Sequence, residues 1–315
     1  MKFTLWPNNP FFRYLLFFNL LLSINTITVS CTSIFSDRFF PGEPISYVNF
    51  SKPLLVAVLP LQSPEKQQET LQPLAQYLET LLKRPVNFQI TKNYSEAVDL
   101  IVTEEVDMAY LAALTYIKAK QRNSNIIPLV IPINRVSGRP WYTSVIIANT
   151  TKNIKTLQDL KGKRFAFVSP SSTSGFLIPM NVLQTVGINP TKDFSKIHYS
   201  GSHDTAIQDL VDGVVDAVTN DKASFLRSQK SGKLNGNYKI IWESNPIPAP
   251  PIVINTKKFT PKMINQLREI LIDAPVGFVD VRGSESAGYT LGKDADFEEI
   301  RQIYTRLQYT KVAEK

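Results

Sequence analysis

The stretch Arg164-Phe-Ala-Phe-Val168, followed by Ser171-Ser-Thr-Ser-Gly-Phe-Leu177, decides the fold of this chain. Its first part is an apolar run typical of a buried strand, and Phe176 to Leu183, with a proline in the first turn, predicts a helix. The hydroxyl side chains between them therefore lie at a helix N-terminus. Backbone N–H groups there lack intrahelical partners and the helix dipole is positive, which favours an anion. Helix capping by these hydroxyls, without a ligand, is the alternative.

Segments typical of strands and helices alternate from Leu54 onward, which indicates α/β layers. Leu54 to Pro60 is an apolar strand, and Pro64 to Leu82 carries leucines at helical spacing. The alternation starts again after Trp141 to Ala148, and a proline-rich extended segment, Pro246 to Ile254, precedes the last helices. This pattern predicts two α/β lobes joined by two crossover strands, with a ligand cleft between the lobes.

Three polar turns follow apolar strands in the second lobe. Besides Ser171 to Gly175, they are Gly201-Ser-His-Asp-Thr205 and Thr219-Asn-Asp221, the last placed after a predicted strand over 214–218. Ligands of open parallel sheets bind at the carboxyl ends of strands, so we expect the turns to converge on one edge. His203 is one of two histidines in the chain and can donate to an anion, although a surface or capping role is its alternative.

The first thirty residues form a different kind of segment. Tyr14 to Ile24 is an eleven-residue apolar core, too short to span a bilayer and of the length found in signal peptides. Cys31, the only cysteine, follows it, so an intrachain disulfide is impossible. These features predict a leader over residues 1–30 and a tether over residues 31–50.

Charge and motif content argue against several other functions. The formal net charge is +8, but the basic residues are scattered, which is not typical of nucleic-acid binding. No phosphate-binding loop of the Gly-x-x-x-x-Gly-Lys-Ser/Thr type occurs, and two histidines with one cysteine make a metal site unexpected. Ser174, His203 and Asp204 include the residue types of a hydrolase triad, but no nucleophile elbow is present and Asp204 directly follows His203. We therefore expect no catalysis and no cofactor.

Several of these stretches resemble the periplasmic substrate-binding subunits of ABC importers for phosphonate, phosphite and phosphate. The matching stretches span about residues 54–280 and are Val106-Asp-Met-Ala-Tyr110, Trp141-Tyr-Thr-Ser-Val145, Ser172-Thr-Ser-Gly-Phe-Leu-Ile-Pro179, Gly201-Ser-His-Asp204 and Val215-Asp-Ala-Val-Thr-Asn220. The resemblance implies a type II periplasmic-binding-protein fold that closes on its ligand.

The resemblance also implies which residues contact the ligand. The oxyanion contacts of the family fall on four residues of the second lobe and one of the first: Ser172, Thr173, Ser174, His203 and Tyr94. Tyr110 and Tyr142 are candidates to close the cleft, with core packing as the alternative. Asp221 is a candidate to accept a proton from a P–OH group, with helix capping as the alternative.

Three departures from the family pattern bear on the ligand. Family members that bind a phosphonate with an aminoalkyl tail carry a glutamate near the position of Ala223 in this chain. They also carry an aspartate in the crossover segment, where this chain has Ala249-Pro-Pro251. A second family tyrosine is replaced by Leu111. A buried ammonium without a carboxylate would be costly, so we expect a ligand without an amine: phosphite, phosphate or a short alkylphosphonate.

Cys31 with the preceding Val29 and Ser30 resembles a bacterial lipobox, although Thr28 stands where that motif usually has leucine. The resemblance implies lipid attachment to Cys31; ordinary export with an incidental cysteine is the alternative. We therefore predict a monomeric solute-binding lipoprotein, held at a membrane in the periplasm or at the cell surface, that delivers its ligand to an ABC permease and its ATPase. Lobe 1 is predicted over 51–138 and 250–315, and lobe 2 over 139–249. The alternative function is ligand sensing for a membrane histidine kinase.

Overall fold

The structure is a computed structural model that describes residues 52–275, 277 and 286–313. The predicted leader, the tether and the lipidation site Cys31 lie outside the described residues. The strands are β1 (Leu54–Val58), β2 (Val86–Ile90), β3 (Met108–Tyr110), β4 (Ile126–Asn134), β5 (Trp141–Tyr142), β6 (Ser144–Asn149), β7 (Arg164–Phe167), β8 (Lys196–Tyr199), β9 (Ala217–Asp221), β10 (Tyr238–Glu243), β11 (Ile247–Pro248), β12 (Ile252–Asn255) and β13 (Ser286–Leu291).

The helices are α1 (Pro64–Leu82), α2 (Tyr94–Val102), α3 (Ala113–Arg122), α4 (Ile178–Thr185), α5 (Pro190–Asp193), α6 (His203–Val211), α7 (Lys222–Lys230), α8 (Pro261–Ile272) and α9 (Glu298–Ala313). Helix α1 begins and ends at the predicted residues, whereas α5 and α7 were not predicted. A π-helical turn, Thr173–Leu177, leads into α4. Among the described residues, none of the helices combines the length and the apolar character needed to cross a bilayer.

Two separate sheets form the cores of two lobes. The sheet of lobe 1 has the order β13-β4-β12-β3-β1-β2, and the sheet of lobe 2 has the order β10-β6-β9-β7-β8. In each sheet the parallel strands are joined through helices, because parallel pairs need a crossover connection. The predicted α/β architecture with two lobes is confirmed. The residue boundaries predicted for the lobes stay a prediction.

Two short strands carry the chain between the lobes. β5 and β11 pair antiparallel, with Ile247 opposite Tyr142 and Pro248 opposite Trp141. The N–H of Ala249 adds a hydrogen bond to the carbonyl of Pro140 at 2.9 Å. The prolines that made this region extended in the sequence therefore lie in the crossover. A second bridge comes from α9, which contacts α3 in lobe 1 and α4 in lobe 2, where the Arg306 guanidinium donates to Asn181 Oδ1 at 2.6 Å.

One predicted element is wrong. Thr219 to Asp221 were expected to form a turn after a strand over 214–218, but β9 runs from Ala217 to Asp221 and all five residues are buried. The polar residues stay in the strand because β9 pairs antiparallel with β6, with Asn220 opposite Val145. Their side chains are also satisfied inside the lobe; Thr219 Oγ1, for example, donates to the Gly175 carbonyl at 2.7 Å.

Candidate functional site

A small closed cavity lies where the lobes meet, at the carboxyl ends of β1, β3 and β7. The space open to the centre of a water molecule is about 10 Å³, which is room for about one water. The cavity is lined by residues of both lobes and of the crossover: Leu59, Leu61, Tyr94, Tyr110, Leu111, Ala112, Tyr142, Ser172, Ser174, His203 and Pro250. Six of the eight candidate ligand contacts, including Tyr142, are in this set, and Thr173 and Asp221 are not.

The turn that begins at Ser172 is built around Gly175. Ser172 is extended, caps the turn, and accepts a hydrogen bond at Oγ from the Gly175 N–H at 3.0 Å. A Cβ added at Gly175 would lie 2.4 Å from Val168 Cβ, so no other residue fits without movement of the strand or the turn. The capping alternative is therefore correct for Ser172, yet the same side chain also lines the cavity.

The two hydroxyls that follow have different surroundings. Thr173 Oγ1 accepts a hydrogen bond at 2.9 Å from the N–H of Leu114, in the first turn of α3 in the other lobe. Ser174 lines the cavity, and its hydroxyl makes no hydrogen bond to any residue in the described part of the chain. Thr173 therefore joins the lobes, whereas Ser174 is available to a ligand.

His203 has one ring nitrogen fixed and one open. The Asn220 amide nitrogen donates to the His203 carbonyl at 2.9 Å and its Oδ1 accepts from the Asp221 N–H at 2.8 Å, which sets the orientation of the amide. Oδ1 is thus an acceptor, and the His203 Nδ1 at 2.8 Å must carry a proton. Nε2 has no partner within the residues described and lies at the cavity, where it accepts when the ring is neutral and donates when the ring is charged.

Asp221 lies behind His203 rather than at the cavity. Its Oδ1 accepts from the Ser224 N–H at 3.0 Å and its Oδ2 from the Ser224 hydroxyl at 2.7 Å, so it caps α7. The same Oδ2 is 3.5 Å from His203 Nδ1, and the side chain is buried. The carboxylate therefore faces the proton-bearing side of the ring. The capping alternative describes Asp221 better than contact with a ligand.

Tyr94 is the first residue of α2 and points into the cavity from lobe 1. It is only 1% exposed, and its hydroxyl has no hydrogen-bond partner of good geometry within residues 52–275 or the described C-terminal segment. Burial raises the pKa of this hydroxyl well above its ordinary value, and the adjacent Ser172 hydroxyl offsets part of the rise. Tyr94 is thus a neutral donor at any physiological pH.

The other two candidate tyrosines also line the cavity. The Tyr110 hydroxyl makes a hydrogen bond with the hydroxyl of Tyr289, which lies in β13 of the same sheet. The Tyr110 hydroxyl is therefore already paired within lobe 1. Tyr142 lies on the crossover strand β5 and lines the cavity while half-buried. Tyr110 is therefore packed in the core of lobe 1 and also forms part of the cavity wall.

The sequence did not indicate the apolar wall of lobe 1. Leu59 and Leu61 follow β1, and Leu111 and Ala112 follow β3, so all four stand at the carboxyl ends of parallel strands. That position was the available signal, but buried leucines and alanines are typical of any core. Pro250 completes the wall from the crossover.

Catalytic and metal-binding arrangements are not found at this cavity. Asp204 does not orient His203; it lies toward Lys66 of lobe 1, at 4.0 Å. In the described residues, no three His, Cys, Asp or Glu side chains are grouped to hold a metal ion. The site is a closed pocket of hydroxyls and one imidazole on one side, with apolar side chains on the other.

Two α/β lobes, paired crossover strands and a closed pocket between the lobes define a solute-binding protein of the type II periplasmic fold. The family model for the periplasmic phosphonate substrate-binding proteins of ABC transporters matches residues 56–295, and the chain belongs to this family. Members of the family are transport components, not enzymes, and work in the periplasm.

Individual relatives agree with this assignment. The chain is 25% identical over 275 residues to the phosphate-import protein PhnD of Mycolicibacterium smegmatis, covering 81% of this chain and 85% of the relative. It is 29% identical over 219 residues to a probable phosphite-binding protein, PhnD1, of Prochlorococcus marinus, covering 67% and 69%. The solved structure of Prochlorococcus marinus PhnD1 with methylphosphonate superposes with a TM-score of 0.74 at 22% identity, over 82% of this chain and 98% of that one. This structural likeness shows the shared fold.

Proposed function

We propose that this chain captures a small phosphorus oxyanion in the cavity between its lobes and delivers it to an ABC permease and its ATPase. The proposed ligand is phosphite, phosphate or a short alkylphosphonate. Capture requires no chemical change of the ligand, in keeping with a family of transport components.

The observation that carries this proposal is the buried Tyr94 hydroxyl, which lies beside the Ser172 hydroxyl but makes no hydrogen bond of good geometry with any described residue. A hydroxyl left unpaired in the protein interior costs about 1–3 kcal/mol, so proteins rarely keep one without a use for it. The Ser174 hydroxyl and His203 Nε2 are also open and line the same cavity. Two hydroxyls, and the imidazole when it is charged, can thus donate to an oxyanion here, and the cavity must widen beyond its room for about one water to admit it.

The donors are held in place before a ligand binds. Gly175 fixes the Ser172 turn, Asn220 fixes the imidazole, and α2 fixes Tyr94 at its first residue. Little reorganisation is then needed on binding, which preserves affinity. When charged, the imidazole can donate from Nε2 to an anionic oxygen, with Asp221 on the opposite side of the ring.

The composition of the cavity wall also supports a ligand without an amine. No carboxylate lines the cavity, and the nearest acid, Asp221, is committed to Ser224. A buried ammonium would therefore lack a counter-ion. Two relatives are named for phosphate import and phosphite binding, and both of those ligands are phosphorus oxyanions without an amine.

Calorimetric titration of the purified protein with phosphite, phosphate, methylphosphonate and aminoethylphosphonate tests the proposal. We expect at least one of the first three to bind with micromolar or tighter affinity and aminoethylphosphonate to bind worst. Heat signals absent for all four, from a protein that is folded by circular dichroism, would refute the proposed function.

Tyr94→Phe tests whether the cavity is the binding site. Removal of the hydroxyl should weaken the best ligand about tenfold, because one buried donor is lost. The stability of the ligand-free protein should not fall, since the hydroxyl has no partner within it. Tyr199→Phe, at a half-exposed tyrosine of β8, is the matched control and should change neither quantity.

The lipoprotein part of the proposal rests on Cys31 alone. If Cys31 carries the lipid, Cys31→Ser should move the protein from the membrane fraction to the soluble extracytoplasmic fraction of expressing cells. Membrane retention of this variant would remove the lipid anchor from the proposal and leave ligand capture unaffected.

A further inference from the structure

We propose that Lys118 is a latch between the lobes, and that its bond to Ser171 sets how long a captured oxyanion stays in the cavity. The inference rests on the proposed function and adds a positioning residue outside the cavity that controls release. Lys118 belongs to α3 of lobe 1, and Ser171 directly precedes the lobe 2 turn that begins at Ser172.

The contact of Lys118 crosses from one lobe to the other. Its ammonium donates to Ser171 Oγ at 2.8 Å and lies 5.7 Å from the centroid of the Tyr304 ring of α9. A charged donor makes a stronger hydrogen bond than a neutral one, and an aromatic face adds attraction for the cation. Ser171 is 8% exposed, and Lys118 and Tyr304 are half-buried, so the contact is partly shielded from water.

The latch lies directly behind one wall of the cavity. On α2, Tyr94 lines the cavity and the next residue, Ser95, lines a separate groove. On the lobe 2 side, Ser172 lines the cavity and the preceding Ser171 lines the same groove. The Tyr94 hydroxyl lies beside the Ser172 hydroxyl, so these two side chains, one from each lobe, stand between the cavity and the groove. The bond from Lys118 to Ser171 holds the lobes together next to this wall.

The groove behind the wall is reached by water and carries positive charge. It offers about 230 Å³ of space open to the centre of a water molecule, and Ser95, Gln121 and Arg122 at its edge are exposed. Lys118 and Arg122 both line it, and none of the described residues that line it is an aspartate or glutamate. Separation of Tyr94 from Ser172 would therefore connect the cavity to water, which makes the latch a point of control over release.

A second lysine spans the lobes without these features. Lys66 Nζ in α1 is 4.0 Å from Asp204 Oδ2 of α6, and the Lys66 side chain is 56% exposed. An exposed ion pair at such a distance contributes little to stability. Lys66 is therefore a matched control for Lys118, because it is a lysine between the same two lobes with a weaker contact.

Loss of the latch should act on release more than on capture. The contact exists only while the lobes are together, so its removal destabilises the closed complex and leaves the separated lobes unchanged. We expect Lys118→Met to raise the dissociation rate constant and the Kd about tenfold, because one hydrogen bond from a charged donor is lost. The association rate constant should change by less than about threefold, as is usual when a contact acts on the complex.

A double-mutant cycle tests the latch. Phosphite, phosphate and methylphosphonate are each titrated by calorimetry, and the tightest of the three then serves as the probe in stopped-flow tryptophan fluorescence. Lys118→Met, Ser171→Ala and the double variant should show the same rise in Kd and in dissociation rate, because all three remove one contact. Lys118→Arg can still donate to Ser171 and stack on Tyr304, so it should restore slow release. Lys66→Met should match the wild type.

The outcomes separate the latch from the proposed function. Fully additive effects of Lys118→Met and Ser171→Ala would overturn the latch, and so would equal effects of Lys66→Met and Lys118→Met. If circular dichroism shows that Lys118→Met does not fold, Ser171→Ala decides, and wild-type values of Kd and dissociation rate in that variant reject the latch. A wild-type protein that binds none of the three ligands refutes the proposed function instead.

Discussion

Lobe 2 faces the cavity with two serines and a histidine, whereas lobe 1 faces it mainly with leucines, an alanine and two tyrosines, of which Tyr94 has an open hydroxyl. The polar groups of lobe 2 are held by short-range contacts: Ser172 by Gly175, and His203 by Asn220. The corresponding polar groups of lobe 1 are turned inward, as with Gln67 and the Tyr110 hydroxyl. We infer from this difference that lobe 2 supplies most of the polar contacts to a ligand, with the Tyr94 hydroxyl as the contribution of lobe 1.

Gly175→Ala should have the largest effect, because it disrupts the lobe 2 turn that begins at Ser172. The added Cβ would lie 2.4 Å from Val168 Cβ and 2.8 Å from Ser172 Oγ, so the turn or the strand must shift. We expect binding to fall below detection and the free energy of unfolding to drop by about 1–3 kcal/mol, measured by calorimetry and urea denaturation. Gly236→Ala is the control, because open space surrounds that position and both quantities should stay unchanged.

His203→Ala should have the next largest effect on affinity. It removes an imidazole donor from a buried anion and should weaken binding by about 1–3 kcal/mol in a titration. His198→Ala removes the other histidine, which pairs with Asp209 on the surface of lobe 2, and should leave affinity unchanged. Equal effects of the two substitutions would contradict the place of His203 in the site.

Thr173→Val tests the contact between the lobes rather than the cavity. The Leu114 N–H would lose its acceptor in the closed form, which should weaken binding about tenfold. The melting temperature of the ligand-free protein should change little, because this bond joins the lobes and stabilises neither core. Thr185→Val, at an exposed helix end, serves as the control. A fall in melting temperature with unchanged affinity would assign Thr173 to folding alone.

The smallest expected effect concerns a carboxylate of lobe 2 far from the cavity. A hydrogen bond from the Arg164 side chain lowers the pKa of Asp216, with the Arg164 N–H as a further donor. Because the folded-state pKa is lowered, this stabilisation is present above the ordinary aspartate pKa and is lost as the pH falls through the folded-state value. Asp216→Asn should cost about 1 kcal/mol at pH 7 in urea denaturation, and the difference from wild type should shrink on acidification. Exposed Asp212→Asn is the control.

Much of the fold was predictable from local signals. Helix α1 begins at Pro64, where proline suits the first turn, and its buried leucines follow helical spacing, so both ends were predicted to the residue. Strand β9 was misplaced because Thr219 to Asp221 are polar and polar residues favour turns. Their burial depends on pairing with β6, about 75 residues earlier in the chain, which local sequence does not reveal.

Part of the site was also predictable from local signals in the sequence. The Ser172 turn and His203 stand at helix N-termini, a local property that the sequence indicates. The partner of Thr173 in lobe 1 and the pairing of Tyr110 with Tyr289 are long-range contacts and could not be anticipated. The apolar wall was not predicted because its leucines, Leu59, Leu61 and Leu111, resemble core leucines in sequence. They differ from core leucines only because they border the cavity.

Helix α9 makes movement of the two lobes relative to each other measurable. It packs on α3 and α4 at once, and Arg306 contacts Asn181, so movement of one lobe against the other must disturb one set of these contacts. Two dyes at the exposed positions Thr185 of α4 and Gln308 of α9 would therefore change their energy transfer if α9 moves with lobe 1 when the lobes shift. The labelled protein would then report ligand binding by fluorescence, and no residue that lines the cavity would be substituted.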